Sequence, residues 1–181
     1  LRETSIAAAR LAKQSGVLFS FDPNIRFDLS RDEAFRRLVS VIALADVVAP
    51  TLAEGRMITN KMTTGDVLRA LHAMGPKVVA LTQDKDGAAV SRDGMVALCD
   101  GIDVPVVDPT GAGDIFAAAL VVALQRKMPL EEAALFCNCA GTLAVTKRGA
   151  IGQAIPSLDD VTALMQTKPC RVRLVPLSEL A

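Results

Sequence analysis

The sequence predicts an α/β chain built on a mostly parallel sheet with antiparallel edge strands. Three observations carry this. Stretches of helical period alternate with short apolar runs over residues 2–81. A polar Asp93-Gly94 turn then splits two apolar runs as a hairpin, and two long helical stretches follow Gly113.

Apolar positions at Ile6, Ala9, Leu11 and Ala12 give residues 2–15 one apolar helical face, Gly16 closes that helix, and 17–21 reads as a buried strand. A helix at 32–44, a strand at 46–49, helices at 52–58 and 66–74 and a strand at 77–81 continue the alternation. Parallel neighbours need helical crossovers of this kind. The period changes at 88–90 and 95–98, which flank Arg92-Asp93-Gly94 as a hairpin, and 104–107 reads as one more strand. Helices are expected at 114–125, at 131–145 behind Pro129, and at 158–165, with Gly149 in the basic loop between the last two. Residues 1–166 form the predicted domain. Residues 167–181, with Pro169, Pro176 and no sustained period, read as an irregular tail. No internal repeat or low-complexity tract interrupts this order. The chain opens at Leu1, directly on a helix, so a preceding segment is expected.

Composition narrows the function classes. Hydrophobic residues at 51% and charged ones at 22% suit a globular core. Twenty basic residues balance twenty acidic ones, which leaves no net field to gather nucleic acid or to hold the chain on an anionic membrane. No apolar stretch reaches the roughly 20 residues that span a bilayer, and residues 1–16 carry four charges among alanines, unlike a signal peptide. A cytoplasmic protein is expected. Cys99, Cys137, Cys139 and Cys170 match neither a zinc spacing nor a disulfide framework and read as reduced thiols, Cys137 and Cys139 as packing residues.

Chemistry concentrates at Asp108-Pro109-Thr110-Gly111-Ala112-Gly113-Asp114, expected between a strand and a helix. The unpaired amides of a helix N-terminus and its dipole attract an anion there, phosphate above all. Two glycines and an alanine allow close backbone approach, and Asp114 can take a proton from a hydroxyl aimed at that phosphate. The same four residues also fit a glycine-rich turn whose aspartate merely caps the helix.

Over residues 108–121 the run continues through Ala118, Ala119, Leu120 and Val121 and resembles the C-terminal signature of the PfkB/ribokinase family of carbohydrate kinases. Phe21-Asp22-Pro23-Asn24-Ile25-Arg26 resembles the Asp-x-Asn-x-Arg segment of its fructokinase and 2-keto-3-deoxygluconate kinase branches, and the likeness extends over residues 2–166. The resemblance implies a ribokinase-like three-layer αβα sandwich, with the family's N-terminal part and β lid preceding Leu1. It implies ATP-dependent phosphorylation of a small sugar or sugar acid, with ATP, Mg2+ and K+ as cofactors and a homo-oligomer in the full-length form. Asp114 becomes the catalytic base and a substrate contact, and Gly111, Ala112 and Gly113 the anion hole for the γ-phosphoryl group. Asn24, Thr82, Gly87 and Asn138 fall at nucleotide positions, Glu54 at the residue that organises magnesium through water, and Asp108 and Thr110 at a monovalent-cation site. Asn138, on an apolar helix, equally fits a buried amide that satisfies a neighbouring backbone group. Arg26 suits a substrate carboxylate or phosphate, or else a surface turn.

Two departures from the family pattern stand out. Thr51-Leu52-Ala53-Glu54 keeps the Glu of Asn-x-x-Glu without its Asn, and Thr82-Gln83-Asp84-Lys85-Asp86-Gly87 puts Asp84 where the nucleotide loop has glycine, adding negative charge beside Lys85. Pro50 and Glu54-Gly55 resemble the 2-keto-3-deoxygluconate kinases, whereas Arg148-Gly149-Ala150 resembles the fructokinases. Arg26 tilts the expectation to the keto-deoxy sugar acid, with fructose next. The rival readings are a truncated remnant that only binds nucleotide or sugar, and a dinucleotide binder, which the missing third glycine disfavours.

Overall fold

A computed structural model of the chain describes residues 3–26, 32–168 and 170–181. Leu1 and Pro169, singled out in the sequence, lie outside the described residues. Among the described residues, seven α-helices and six strands follow in the order α1 Glu3–Gln14, β1 Ser20–Phe21, α2 Asp32–Ile42, β2 Val47–Val48, α3 Leu52–Thr59, α4 Thr64–Ala73, β3 Val78–Thr82, β4 Gly87–Arg92, β5 Met95–Asp100, α5 Ala112–Gln125, α6 Leu130–Ala144, α7 Leu158–Thr167 and β6 Val172–Pro176. The strands hydrogen-bond in chain order, β1-β2-β3-β4-β5-β6, and the sheet is mixed. No helix among the described residues is long and apolar enough to cross a membrane.

The chain divides into two compact units. The first holds residues 1–81, 91–95 and 176–181. Its strands are parallel, with Ser20 opposite Val47 and Val47 opposite Val78. Val47, Val48, Val79, Ala80 and Leu81 are wholly buried, as strands covered on both faces must be. Leu38, Val41 and Ile42 supply the buried stripe of α2 at helical spacing. Thr51 and Glu54 form a capping box on α3, and Thr63 caps α4 through the amide of Asp66. Gly55 lets α3 approach α4, because a Cβ there would lie 2.7 Å from Val67 Cγ1. His72 bridges the carbonyl of Pro76 and the hydroxyl of buried Ser91, each at 2.9 Å. The carbonyl can only accept, so Nδ1 donates to it. The last residues lie along α4, where the Gly65 amide donates to Ala181 O at 3.1 Å and Arg69 to the carbonyls of Leu177 and Leu180 at 2.7 and 2.9 Å.

The second unit holds residues 82–90 and 96–175. Buried Phe116, Ala119, Leu120 and Ala123 give α5 one inward face, and α6 buries residues nearly all round, from Leu130 to Ala144. Each large side chain so buried, Leu120 among them, contributes on the order of 2 kcal/mol. Residues 91–95 belong to the first unit, and there Asp93 and Gly94, at φ 53° and 76°, form the primed turn that matches strand twist.

Two expectations change. Residues 104–107 form no strand: Pro105 has no N–H, and the amides of Val107 and Asp108 donate to Val145 O at the end of α6 instead of to a neighbouring strand. The phosphate turn therefore follows an extended connector. The tail expected to be irregular contains β6. The amide of Asp100 meets Arg171 O at 3.0 Å and that of Leu177 meets Gly94 O at 2.8 Å, a register that only an antiparallel β5–β6 pair gives.

Candidate active site

In the second unit, Gly111 is the N-cap of α5 at φ 83°, a conformation open to glycine. The N–H of Ala112 points back to Pro109 O at 3.3 Å, and that of Ile115 donates to Gly111 O at 2.9 Å. Between them the amides of Gly113 and Asp114 have no acceptor among the described residues. The expected cradle of residues 111–114 thus narrows, because Ala112 is engaged. Nothing lies within 4 Å of where a Gly113 Cβ would stand, so the approach is open. Asp114 is exposed, and its side chain makes no hydrogen bond or ion pair with any described residue. A capping aspartate would hold an amide of its own turn, and this one does not.

Asp108 is tied into the fold on both oxygens. Oδ1 accepts the Thr110 amide at 3.0 Å and Oδ2 the Gly149 amide at 2.9 Å. These bonds, led by Thr110 and helped by the Arg148 charge, hold its carboxyl down at about 2. Ala150 Cβ lies 2.6 Å from where a Gly111 Cβ would stand, so the two loops touch only because Gly111 has none.

Asn138 is buried and donates to Asp100 O at 3.0 Å and to Cys170 Sγ at 3.7 Å. The bland alternative for Asn138, a buried amide that satisfies the backbone, is the arrangement seen. Thr82 ends β3. Gly87 stands at φ 105°, where a Cβ would fall 2.1 Å from Cys99 O, so the backbone of the next strand explains this glycine. Asp84 adopts φ 51°, a left-handed conformation that glycine takes freely and aspartate tolerates. Burial pushes the Cys139 thiol up to about 12 and those of Cys99 and Cys137 higher still, in keeping with packing residues.

In the first unit, Asp22, Asn24, Arg26, Thr51 and Glu54 come together. Asp22 Oδ1 accepts the Asn24 amide at 3.0 Å, which holds Asn24 at φ 37°, and Asn24 Oδ1 accepts Arg26 Nε at 3.0 Å. The terminal nitrogens of Arg26 form no ion pair with a described residue. Glu54 Oε1 accepts the Ile25 amide at 2.6 Å, and Oε2 accepts both the amide and the hydroxyl of Thr51 at 2.9 Å. Glu54, expected at magnesium, has three protein donors on its carboxylate. Sequence reasoning missed the Glu54–Ile25 and Asp108–Gly149 bonds because the partners lie 29 and 41 residues apart; the bonds of Asp22 to Asn24, Asn24 to Arg26 and Thr51 to Glu54 are local, and their side-chain pattern was the available signal.

A mixed α/β sheet, a glycine turn presenting free amides at a helix N-terminus and an unengaged carboxylate on the same turn are the features of a class of α/β proteins that bind phosphate groups. The family model for pfkB family carbohydrate kinases matches residues 1–158, and the chain belongs to that family. Fructokinase-1 of Oryza sativa subsp. japonica is 32% identical over 176 residues, 92% of this chain and 54% of that protein. A fructokinase from Vibrio cholerae O395, solved with fructose, ADP and a calcium ion, matches with a TM-score of 0.80 at 28% identity, covering 91% of this chain and 56% of that one. An aminoimidazole riboside kinase from Salmonella enterica, solved with aminoimidazole riboside and an ATP analog, gives 0.78 at 27%, covering 92% and 58%. The fold is ribokinase-like. The chain spans about half the length of the curated relatives it matches.

Proposed function

We propose that the protein carrying this chain transfers the γ-phosphoryl group of ATP to a sugar hydroxyl, with fructose the first substrate. The observation that carries the reading is the first turn of α5, where the free amides of Gly113 and Asp114 and the unengaged Asp114 carboxylate share one turn. The hydroxyl proton passes to Asp114 as the sugar oxygen attacks phosphorus, and ADP departs. The amides hold the charge on the equatorial oxygens, so catalysis is positioning and electrostatics. A divalent ion, when bound, supplies charge neutralisation on the phosphates. Glu54 keeps little lone-pair capacity for it, since three protein donors already occupy the carboxylate.

Fructose is favoured over the keto-deoxy sugar acid expected from Arg26, because curated relatives such as Fructokinase-1 of Oryza sativa subsp. japonica carry the fructokinase name. Arg26 supports the acid as a second reading, since its terminal nitrogens suit a carboxylate. A coupled ADP-release assay comparing fructose, ribose and 2-keto-3-deoxygluconate decides between them. Fructose should give the highest kcat/KM, and preference for the acid would reverse the order. Asp114→Asn should lower kcat by about 100-fold or more with ATP affinity within a few-fold. Near-normal turnover would remove Asp114 from the base role.

A further inference from the structure

All four cysteines of the chain fall in the second unit, and each is a free thiol. Cys137 and Cys139 stand two positions apart on α6, on opposite sides of the helix, so they cannot meet. Cys99 near the end of β5 and Cys170 just ahead of β6 are placed differently. The Asp100 amide donates to Arg171 O at 3.0 Å, which sets Asp100 opposite Arg171 in the antiparallel pair. Asp100 and Arg171 are exposed on one face of that pair. By alternation Cys99 and Cys170 share the other face as diagonal neighbours. The residue directly across from Cys170 is Gly101, which presents no side chain.

The thiols meet along that diagonal. Cys170 Sγ donates its proton to Asp100 O at 3.1 Å and accepts Asn138 Nδ2 at 3.7 Å. A further side-chain hydrogen bond joins Cys99 to Cys170, and the Cys99 thiol is its donor, because the one Cys170 proton is already spent. Exposure divides the pair: Cys170 is half-buried, whereas Cys99 is 3% exposed. Diagonal partners stand about 7 Å apart between Cα atoms, close to the limit for a disulfide, and the remaining closure falls on Cys170, which precedes β6 and is the freer of the two.

We propose that Cys99 and Cys170 are a disulfide-forming pair, oxidised by a peroxide, which staples the start of β6 to β5. The Cys170 sulfur attacks one peroxide oxygen, the O–O bond breaks, and a sulfenic acid and one water result. The Cys99 sulfur then attacks the sulfenic sulfur; the S–S bond forms, the S–O bond breaks, and the hydroxyl leaves with the Cys99 proton as a second water. Two thiols lose two electrons in all, and the peroxide takes them. The Asp100 carbonyl loses the Cys170 donor and keeps the Asn138 amide at 3.0 Å. Burial raises both thiols, so neither is a ready thiolate and the bond forms slowly. The same burial gives the reduced pair no thiolate stabilisation, so the disulfide resists reduction once made.

The reduced protein is treated with hydrogen peroxide, its remaining thiols are alkylated after denaturation, and the digest is read by mass spectrometry without reductant. The expected result is the loss of two thiols per chain, a linked peptide holding Cys99 and Cys170, and a melting temperature raised by several degrees, as closing a long loop requires. Cys170→Ser should keep its three remaining thiols and show no such rise. Should Cys99→Ser not fold, the half-buried Cys170→Ser variant carries the control alone. Retention of all four thiols by the wild type, a Cys139–Cys170 peptide, a bond between chains, or Cys170 recovered as the sulfinic acid overturns the proposal.

Discussion

The carboxylate of Glu54 accepts the backbone N–H of Ile25 at 2.6 Å, from a residue 29 positions earlier in the chain. One side chain thereby caps α3 and fixes the loop that carries Asn24 and Arg26. Glu54→Ala removes the acceptor of a half-buried amide and should cost about 1–3 kcal/mol, read as a melting temperature lowered by several degrees. Unchanged stability with lost magnesium dependence would return Glu54 to the metal role.

Asp84 holds a left-handed conformation and adds a charge to the loop after β3. Asp84→Gly relieves the backbone and should leave stability equal or up to about 1 kcal/mol higher. ATP affinity should rise as well if the loop faces the phosphates. Calorimetry and thermal unfolding on the same preparation check both, and weaker ATP binding would place the charge elsewhere.

Gly65→Ala would set a Cβ 2.1 Å from Leu180 O. The 177–181 segment should lift from α4 while the core of the first unit stays folded. Limited proteolysis within residues 177–181 should accelerate in the variant, and equal resistance would show that the segment adjusts in place. At Gly87 the blocking atom is the Cys99 carbonyl of the adjoining strand, which cannot withdraw. Gly87→Ala should therefore destabilise globally, by about 2–4 kcal/mol.

With its folded value held near 2, Asp108 is ionised well below the range where an unfolded aspartate titrates, about 3.9. Its contribution is complete above the unfolded value and disappears as pH falls towards the folded one. ATP affinity, corrected for protonation of ATP itself, should not change on account of this group between about pH 8 and about pH 5. A loss centred inside that interval would mean that the carboxylate is not hydrogen-bonded as described.

The helices were legible because each buries one face: the spacing of Leu38, Val41 and Ile42, or of Phe116, Ala119, Leu120 and Ala123, is local information. The strands were less so. β1 and β2 keep two residues each of the longer apolar runs expected. β6 was missed because Val172–Pro176 is a strand only by pairing with β5, a relation of distant residues. The valines at 106 and 107 misled in the opposite direction: they are exposed, and their segment bonds to the end of α6. At the site, the run from Asp108 to Asp114 announced its own chemistry. The roles of Asp108, Glu54 and Asn138 depend on Gly149, Ile25 and Asp100, which no local pattern names.

The first unit gathers three separate stretches of sequence, and its α4 donates hydrogen bonds to the carbonyls of Leu177, Leu180 and Ala181. Such a unit cannot complete itself as the polypeptide leaves the ribosome in order. In residues 3–81, α4 stays unlatched until residues 177–181 have emerged, and closing so long a loop carries an entropic cost. During synthesis, then, this unit is completed only after the intervening residues of the second have been made, and a chaperone acting on nascent chains would find its substrate there.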